Sequence, residues 1–134
     1  MNNQESKSGR NIRIMIVDDF AGMRTILKHT LHLLGYDNVS EARGGQEALE
    51  KLKEEPCQLI ISDWSMPQMT GLEFHSALQE DPFFKEVPFL MITAKSERDH
   101  VIEAAHAGVT NYMIKPFSAE ALQRKIAAML EKME

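Results

Sequence analysis

The chain has 134 residues, 43% of them apolar, and a net charge of −5. Its length suits one domain with one core, and its composition is that of a folded protein, not a disordered one. The mild acidity argues against nonspecific nucleic-acid binding, which needs a basic surface, and no apolar run approaches the length of a membrane span.

The opening segment, Met1 to Asn11, is rich in Asn, Ser, Lys and Gly, and reads as a mobile tail without the apolar middle of a signal peptide. A single cysteine, Cys57, rules out an intramolecular disulfide and reads as a small residue leading into a strand. Together these features point to the cytoplasm.

From residue 12 to 134 the chain is expected to form one domain in which strand and helix patterns alternate five times. Ile12 to Val17 is apolar and β-branched, as in a strand buried on both faces. Met23, Ile26, Leu27, Leu31 and Leu34 then recur at helical spacing, and Gly35 supplies a stop. Val39 to Ala42 is a short second strand, followed by a helix marked by Ala48, Leu49 and Leu52 that ends before Pro56. Leu59 to Ser62 is a third buried strand. Leu72, Phe74, Ala77 and Leu78 mark the third helix, with Thr70 and Glu73 at capping-box spacing. Phe89 to Thr93 is the fourth strand, entered through Pro88. Val101, Ala104 and Ala105 mark a fourth helix, capped by Ser96 with Asp99 and stopped by Gly108. Asn111 to Ile114 is the fifth strand, and Ser118 begins a last helix whose inner face is Leu122, Ile126, Met129, Leu130 and Met133. Five such units with short connections imply a parallel sheet with helices on both faces. Nothing is left for a second domain, and in particular no helix-turn-helix.

In sheets of this kind ligands collect beyond the carboxyl ends of the strands. Strand one ends in Asp18 and Asp19, strand three in Asp63, strand four in Thr93-Ala94-Lys95 and strand five in Lys115-Pro116. Three crowded carboxylates must retain protons or bind a cation. Oxygen-only donors select a hard ion, and Mg²⁺ fits better than Zn²⁺. With the charge so neutralised, one carboxylate is free to attack phosphorus, and Asp63 is the best candidate. Each piece also has a structural explanation. An Asp pair before a helix is commonly an N-cap, a lone Asp after a strand is usually a turn residue, a Lys-Pro after a strand usually marks a loop, and a Thr at a strand end is more often structural than catalytic. The combination at four strand ends is what favours chemistry.

The segments Val17–Phe20 (VDDF), Ser62–Gly71 (SDWSMPQMTG), Met91–Lys95 (MITAK) and Ala107–Phe117 (AGVTNYMIKPF) resemble the bacterial response-regulator receiver domains, most closely the single-domain chemotaxis branch. The likeness runs from about Ile12 to about Lys132. It implies a flavodoxin-like (βα)5 fold with strand order 2-1-3-4-5; receiver domains are a standard instance of that order, which periodicity alone does not supply. It also implies roles. Asp63 is similar to the phosphoacceptor. Asp19 and Asp63 are similar to direct Mg²⁺ ligands, Ser65 to a ligand through its carbonyl and Asp18 to one through water. Thr93 is similar to the hydroxyl that moves to bond the phosphoryl group and Lys115 to its charged partner, with a cis bond before Pro116, and Tyr112 to an aromatic rotor that turns inward when Thr93 moves. Arg98, Tyr112 and Lys125 are similar to members of a partner-binding face. Trp64, Phe20, Met23 and Arg24 resemble the chemotaxis branch, although Trp64 also reads simply as a partly exposed loop aromatic. The implied partners are a histidine kinase of the chemotaxis type and a flagellar motor switch protein or another phospho-dependent target, met by a monomer.

Two positions depart from that branch: Ser65 stands where Asn is common, and Lys95 where Glu is common. Both flank the path of a hydrolytic water. His29 and His32, three apart on the first helix, read as solvated surface without a third metal ligand, and His75, His100 and His106 as surface or edge residues. An alternative is a Mg²⁺-dependent phosphohydrolase with an aspartyl nucleophile, but Ser65 occupies the position where such an enzyme carries its general acid. A flavin or nucleotide carrier would need a phosphate-cradling loop in place of Asp18-Asp19-Phe20.

Overall fold

The computed structural model describes residues 11–94 and 98–132, the side chains of residues 98–101 excepted. The strands are β1 (Ile14–Val17), β2 (Val39–Ala42), β3 (Leu59–Asp63), β4 (Phe89–Ala94) and β5 (Tyr112–Lys115). The helices are α1 (Ala21–Leu33), α2 (Gly45–Glu54), α3 (Gly71–Gln79), α4 (Arg98–His106) and α5 (Ala119–Glu131). All strand pairs are parallel, and the sheet order is β2-β1-β3-β4-β5.

Alternation along each strand divides the core in two. Ile14, Ile16, Ile61, Leu90, Ile92 and Met113 pack with Leu27 and Leu31 of α1 and with Leu122, Ile126 and Met129 of α5. Met15, Val17, Ile60 and Met91 pack on the other face with Ala48 and Leu52 of α2, Phe74 and Leu78 of α3 and Ala104 of α4. Because β1, β3 and β4 feed both cores, they read as unbroken apolar runs. The edge strands β2 and β5 are more exposed.

Local signals set several boundaries. Thr70 and Glu73 form the expected capping box on α3, and the Ser118 hydroxyl accepts the Ala121 N–H to cap α5. Gly35 and Gly108 adopt positive φ just beyond α1 and α4, where a side chain would be strained. The Lys115–Pro116 bond is cis. Cys57 is buried and its thiol is pushed up to about 11 by burial, in keeping with an inert core position.

Three expectations are corrected. β1 starts at Ile14, not Ile12, because the Arg13 N–H is taken by the Gln58 side chain at 2.7 Å. Ile26 is 56% exposed: Leu27 and Leu31, four apart, define the buried line of α1, and one residue's rotation of about 100° carries Ile26 off it. His75 is buried rather than at the surface, with its ring edge-on to Phe89 at 4.9 Å. Its helix faces the base of β4, and burial lowers the imidazole pKa below its ordinary value. His29, His32 and His106 are exposed as expected, and His32 is paired with Asp37. Met1 to Arg10, Ser96 and Met133 lie outside the described residues, as do the side chains of Asp99 and His100.

Candidate functional site

Strand register assembles the site. Val17 is level with Ser62, so Asp18, next in the chain, emerges beside Asp63. Asp63 is level with Ile92, which places Thr93 one residue further along β4. Ala94 is level with Lys115, which lies within β5 rather than after it. Carboxylate oxygens of Asp18, Asp19 and Asp63 come within 4.8 Å of one another. The Lys115 ammonium lies 3.1 Å from Asp63 Oδ1.

Burial makes this crowding costly. Asp18 is 3% exposed and Asp63 8%. The Asp18 carboxyl is held above the usual carboxylate range, first by burial and then by the charges of Asp63 and Asp19, against the Phe20 N–H and Lys115. The Asp63 carboxyl is raised as well, mainly by burial and further by Asp19, although the Lys115 hydrogen bond and charge oppose the rise. Two buried acids with one ammonium form a cluster that a cation would relieve. The donors are all oxygens, Asp19 is exposed at the mouth, and Ser65 follows in an exposed position. This donor set fits a hard, partly hydrated divalent ion, and Mg²⁺ suits it.

Neighbouring contacts fix the acids. Asp18 Oδ1 accepts the Phe20 N–H at 2.9 Å, and the Asp18 N–H donates to the Ala42 carbonyl at 3.1 Å. Asp18 is therefore not the N-cap of α1; that position is Phe20, which has no side-chain cap. The Ser62 hydroxyl donates to the Asp63 carbonyl at 3.0 Å. Gly71, whose N–H donates to the Trp64 carbonyl at 2.8 Å, closes the β3–α3 loop. A Cβ at Gly71 would stand 2.3 Å from the Asp63 carbonyl oxygen and 2.9 Å from Met91 Sδ. In that loop Gln68 adopts φ 72°, a left-handed conformation.

Trp64 corrects an expectation: although it follows β3 in the loop, it is only 8% exposed and belongs to the core on the α2, α3 and α4 face of the sheet. Thr93 is buried at the end of β4. Tyr112 is level with Met91, two residues before Thr93 on the same face of β4, and is 38% exposed. Lys125 on α5 is half-buried. Arg98 opens α4, but its side chain, like all of Lys95, lies outside the described residues. Gly71 stood unremarked within a quoted motif, and its role is steric. Glu41, which holds Arg24, left no sequence signal because the contact spans 17 residues.

The family model for the response regulator receiver domain matches residues 14–127. The chain is 44% identical over 121 residues to the chemotaxis protein CheY of Pseudomonas aeruginosa, covering 90% of this chain and 98% of that one. It is 41% identical over 129 residues to chemotaxis protein CheY-3 of Vibrio cholerae, covering 96% and 99%. Among solved structures it is similar to chemotaxis protein CheY4 of Vibrio cholerae, with a TM-score of 0.80 and 34% identity, covering 89% of this chain and 98% of that one. It is also similar to the receiver domain of a histidine kinase from Syntrophus aciditrophicus, with a TM-score of 0.84 and 28% identity over 92% of each chain.

Proposed function

Because the chain belongs to the response regulator receiver domain family, we propose that it is a phosphorylation-activated switch of a chemotaxis two-component system, with Asp63 as the phosphoacceptor. The observation that carries this reading is the cluster itself: three carboxylates within 4.8 Å and an ammonium 3.1 Å from Asp63. Asp19, Asp63 and the Ser65 carbonyl would hold Mg²⁺ directly and Asp18 through water. Bound there, Mg²⁺ supplies positive charge that offsets the charge of the transferring group. An Asp63 carboxylate oxygen forms the new P–O bond as the P–N bond of a phosphohistidine donor breaks, and a proton goes to the departing imidazole. Lys115 then pairs with a phosphoryl oxygen and Thr93 donates its hydroxyl to another. Tyr112 follows Thr93 inward, which alters the face formed by α4, β5 and α5, with Arg98, Tyr112 and Lys125 on it.

A kinase-type donor and a phospho-dependent target such as the flagellar motor switch belong to the same proposal, which the chemotaxis names of the relatives support. No helix among the described residues is long and apolar enough to cross a membrane. Within the same proposal the chain is a monomer in the cytoplasm. The chain acts on its own aspartate and is not an enzyme towards other molecules. Incubation with a small phosphodonor and Mg²⁺, followed by intact-mass measurement, should add one labile phosphate to the wild type and none to Asp63→Asn. Stable, undiminished labelling of the Asn variant would overturn the assignment, and many turnovers per chain would favour a phosphohydrolase.

A further inference from the structure

The β1–α1 segment that carries Asp18 is tied to the edge strand β2 by a closed set of contacts away from the carboxylates. Arg24, on the first turn of α1, donates from Nη1 to the Asp18 carbonyl at 2.7 Å and from Nε to Glu41 Oε1 at 3.0 Å. Glu41 adjoins Ala42, whose carbonyl accepts the Asp18 N–H at 3.1 Å. The second Glu41 oxygen accepts from Lys28 Nζ at 3.4 Å, and the Glu41 carbonyl accepts from Lys51 Nζ at 2.5 Å. Both backbone groups of Asp18 are therefore held from β2, one directly and one through the guanidinium. The Arg24 side chain is 14% exposed and that of Glu41 34%, so the pair is shielded more than a surface salt bridge, whose worth is small.

We infer that Arg24 and Glu41 are positioning residues for the Mg²⁺ site: they hold the Asp18 backbone so that the adjacent carboxylates face Asp63. The inference rests on reading the acidic cluster as that site. A guanidinium bonded to a carbonyl and a carboxylate at once uses its planar fork, and Lys would not reproduce it. Groups that orient metal ligands from outside the coordination sphere commonly matter tenfold or more in affinity.

The sign of the effect separates positioning from simple electrostatics. Removing the Arg24 charge leaves the neighbourhood more negative, which by field alone would tighten Mg²⁺ binding. Loss of positioning would weaken it. The experiment is an isothermal calorimetric titration of the full chain with MgCl₂, at a temperature where each variant is folded. Arg24→Gln is expected to raise the Mg²⁺ Kd about tenfold. Glu41→Gln keeps an acceptor for Arg24 Nε but loses its charge, and should raise the Kd about twofold to threefold. The double variant should bind like Arg24→Gln, because both act through one contact. An Arg24→Gln variant that binds Mg²⁺ as tightly as the wild type, or more tightly, would overturn the inference. If that variant does not fold, an unchanged Kd for Glu41→Gln would overturn it equally. A wild type that takes up no Mg²⁺ would instead refute the metal reading itself.

Discussion

Asp18→Asn tests whether the acidic cluster is a stability defect in the absence of a cation. The substitution keeps the shape and leaves an oxygen to accept the Phe20 N–H at 2.9 Å. What it removes is charge. With the Asp18 and Asp63 oxygens no more than 4.8 Å apart and an effective dielectric of about 20, their repulsion is on the order of 3 kcal/mol. Lys115, 3.1 Å from Asp63, also attracts Asp18 and offsets part of this. A net gain of about 1–2 kcal/mol for the Asn variant follows, or roughly 5 °C in Tm for a domain of this size.

The pH dependence has a definite sign. Burial raises the folded-state pKa of Asp18 above 3.8, so the folded state holds its proton to a higher pH than the unfolded state does. Wild-type stability therefore falls as pH rises from 3.8 through the folded value, and the deficit is complete above it. The advantage of Asp18→Asn should be full at pH 7 and vanish below 3.8. Mg²⁺ should act in the opposite direction, adding about 1.4 kcal/mol to the wild type at ten times its Kd and far less to the variant. Circular-dichroism melts at pH 7 with EDTA, and again with MgCl₂, measure both effects. An apo Asp18→Asn protein no more stable than the apo wild type would refute the claim that charge crowding strains this site.

Gly71→Ala should lower stability by about 2–3 kcal/mol in urea denaturation, the cost of overpacking against backbone, and should weaken Mg²⁺ binding, since the new Cβ would meet the Asp63 carbonyl at 2.3 Å; wild-type stability and Mg²⁺ affinity together would disprove the steric role. His75→Phe should remove an acid-sensitive component. The folded imidazole pKa lies below 6.5 because of burial, so its contribution is full above pH 6.5 and is lost as pH falls through the folded value. Parallel pH–stability curves for wild type and variant would contradict this. Lys95→Ala should speed loss of phosphate from Asp63, followed by mass decay in excess Mg²⁺, if the ammonium stabilises the acyl phosphate more than the transition state for its hydrolysis; an equal or slower decay would show that it does not.

The strands and the strand-end residues were legible because a parallel sheet is written in its sequence twice. β1, β3 and β4 are buried on both faces and appear as apolar runs, and each run stops at the edge where ligands collect, so Asp18, Asp63 and Thr93 follow from the stops. The order of the strands was not legible from the periodicity, which is the same for any order; it came from the resemblance. Ile26 and His75 were misplaced because both lie near the margin of a helical stripe, where one residue's rotation decides burial. The exposure of Trp64 was misjudged because a position after a strand end gives no periodic signal of whether its side chain is buried. The Arg24–Glu41 contact joins a helix to an edge strand across a loop, and no local pattern marks it.

If Asp63 is the acceptor, the route outward is narrow. β3 is bordered by β1 and β4. On the β1 side, the Asp18 backbone is held by Ala42 and Arg24, and that side is poorly suited to move. On the other side, β4 carries Thr93 at its end, and beyond it β5 carries both Lys115, level with Ala94, and Tyr112, level with Met91. Phosphorylation at neutral pH would replace one carboxylate charge with close to two phosphoryl charges, at the place where Lys115 already sits. Lys115 then needs little displacement, and the new demand for a hydroxyl donor falls on Thr93. Tyr112 lies level with Met91, two residues before Thr93, on an edge strand whose outer side is free of the sheet, and is 38% exposed. A displacement of Thr93 would thus reach an exposed aromatic on the neighbouring strand without any change in the sheet's hydrogen bonds. This arrangement would allow a buried charge to alter a surface while the core on both faces stays packed.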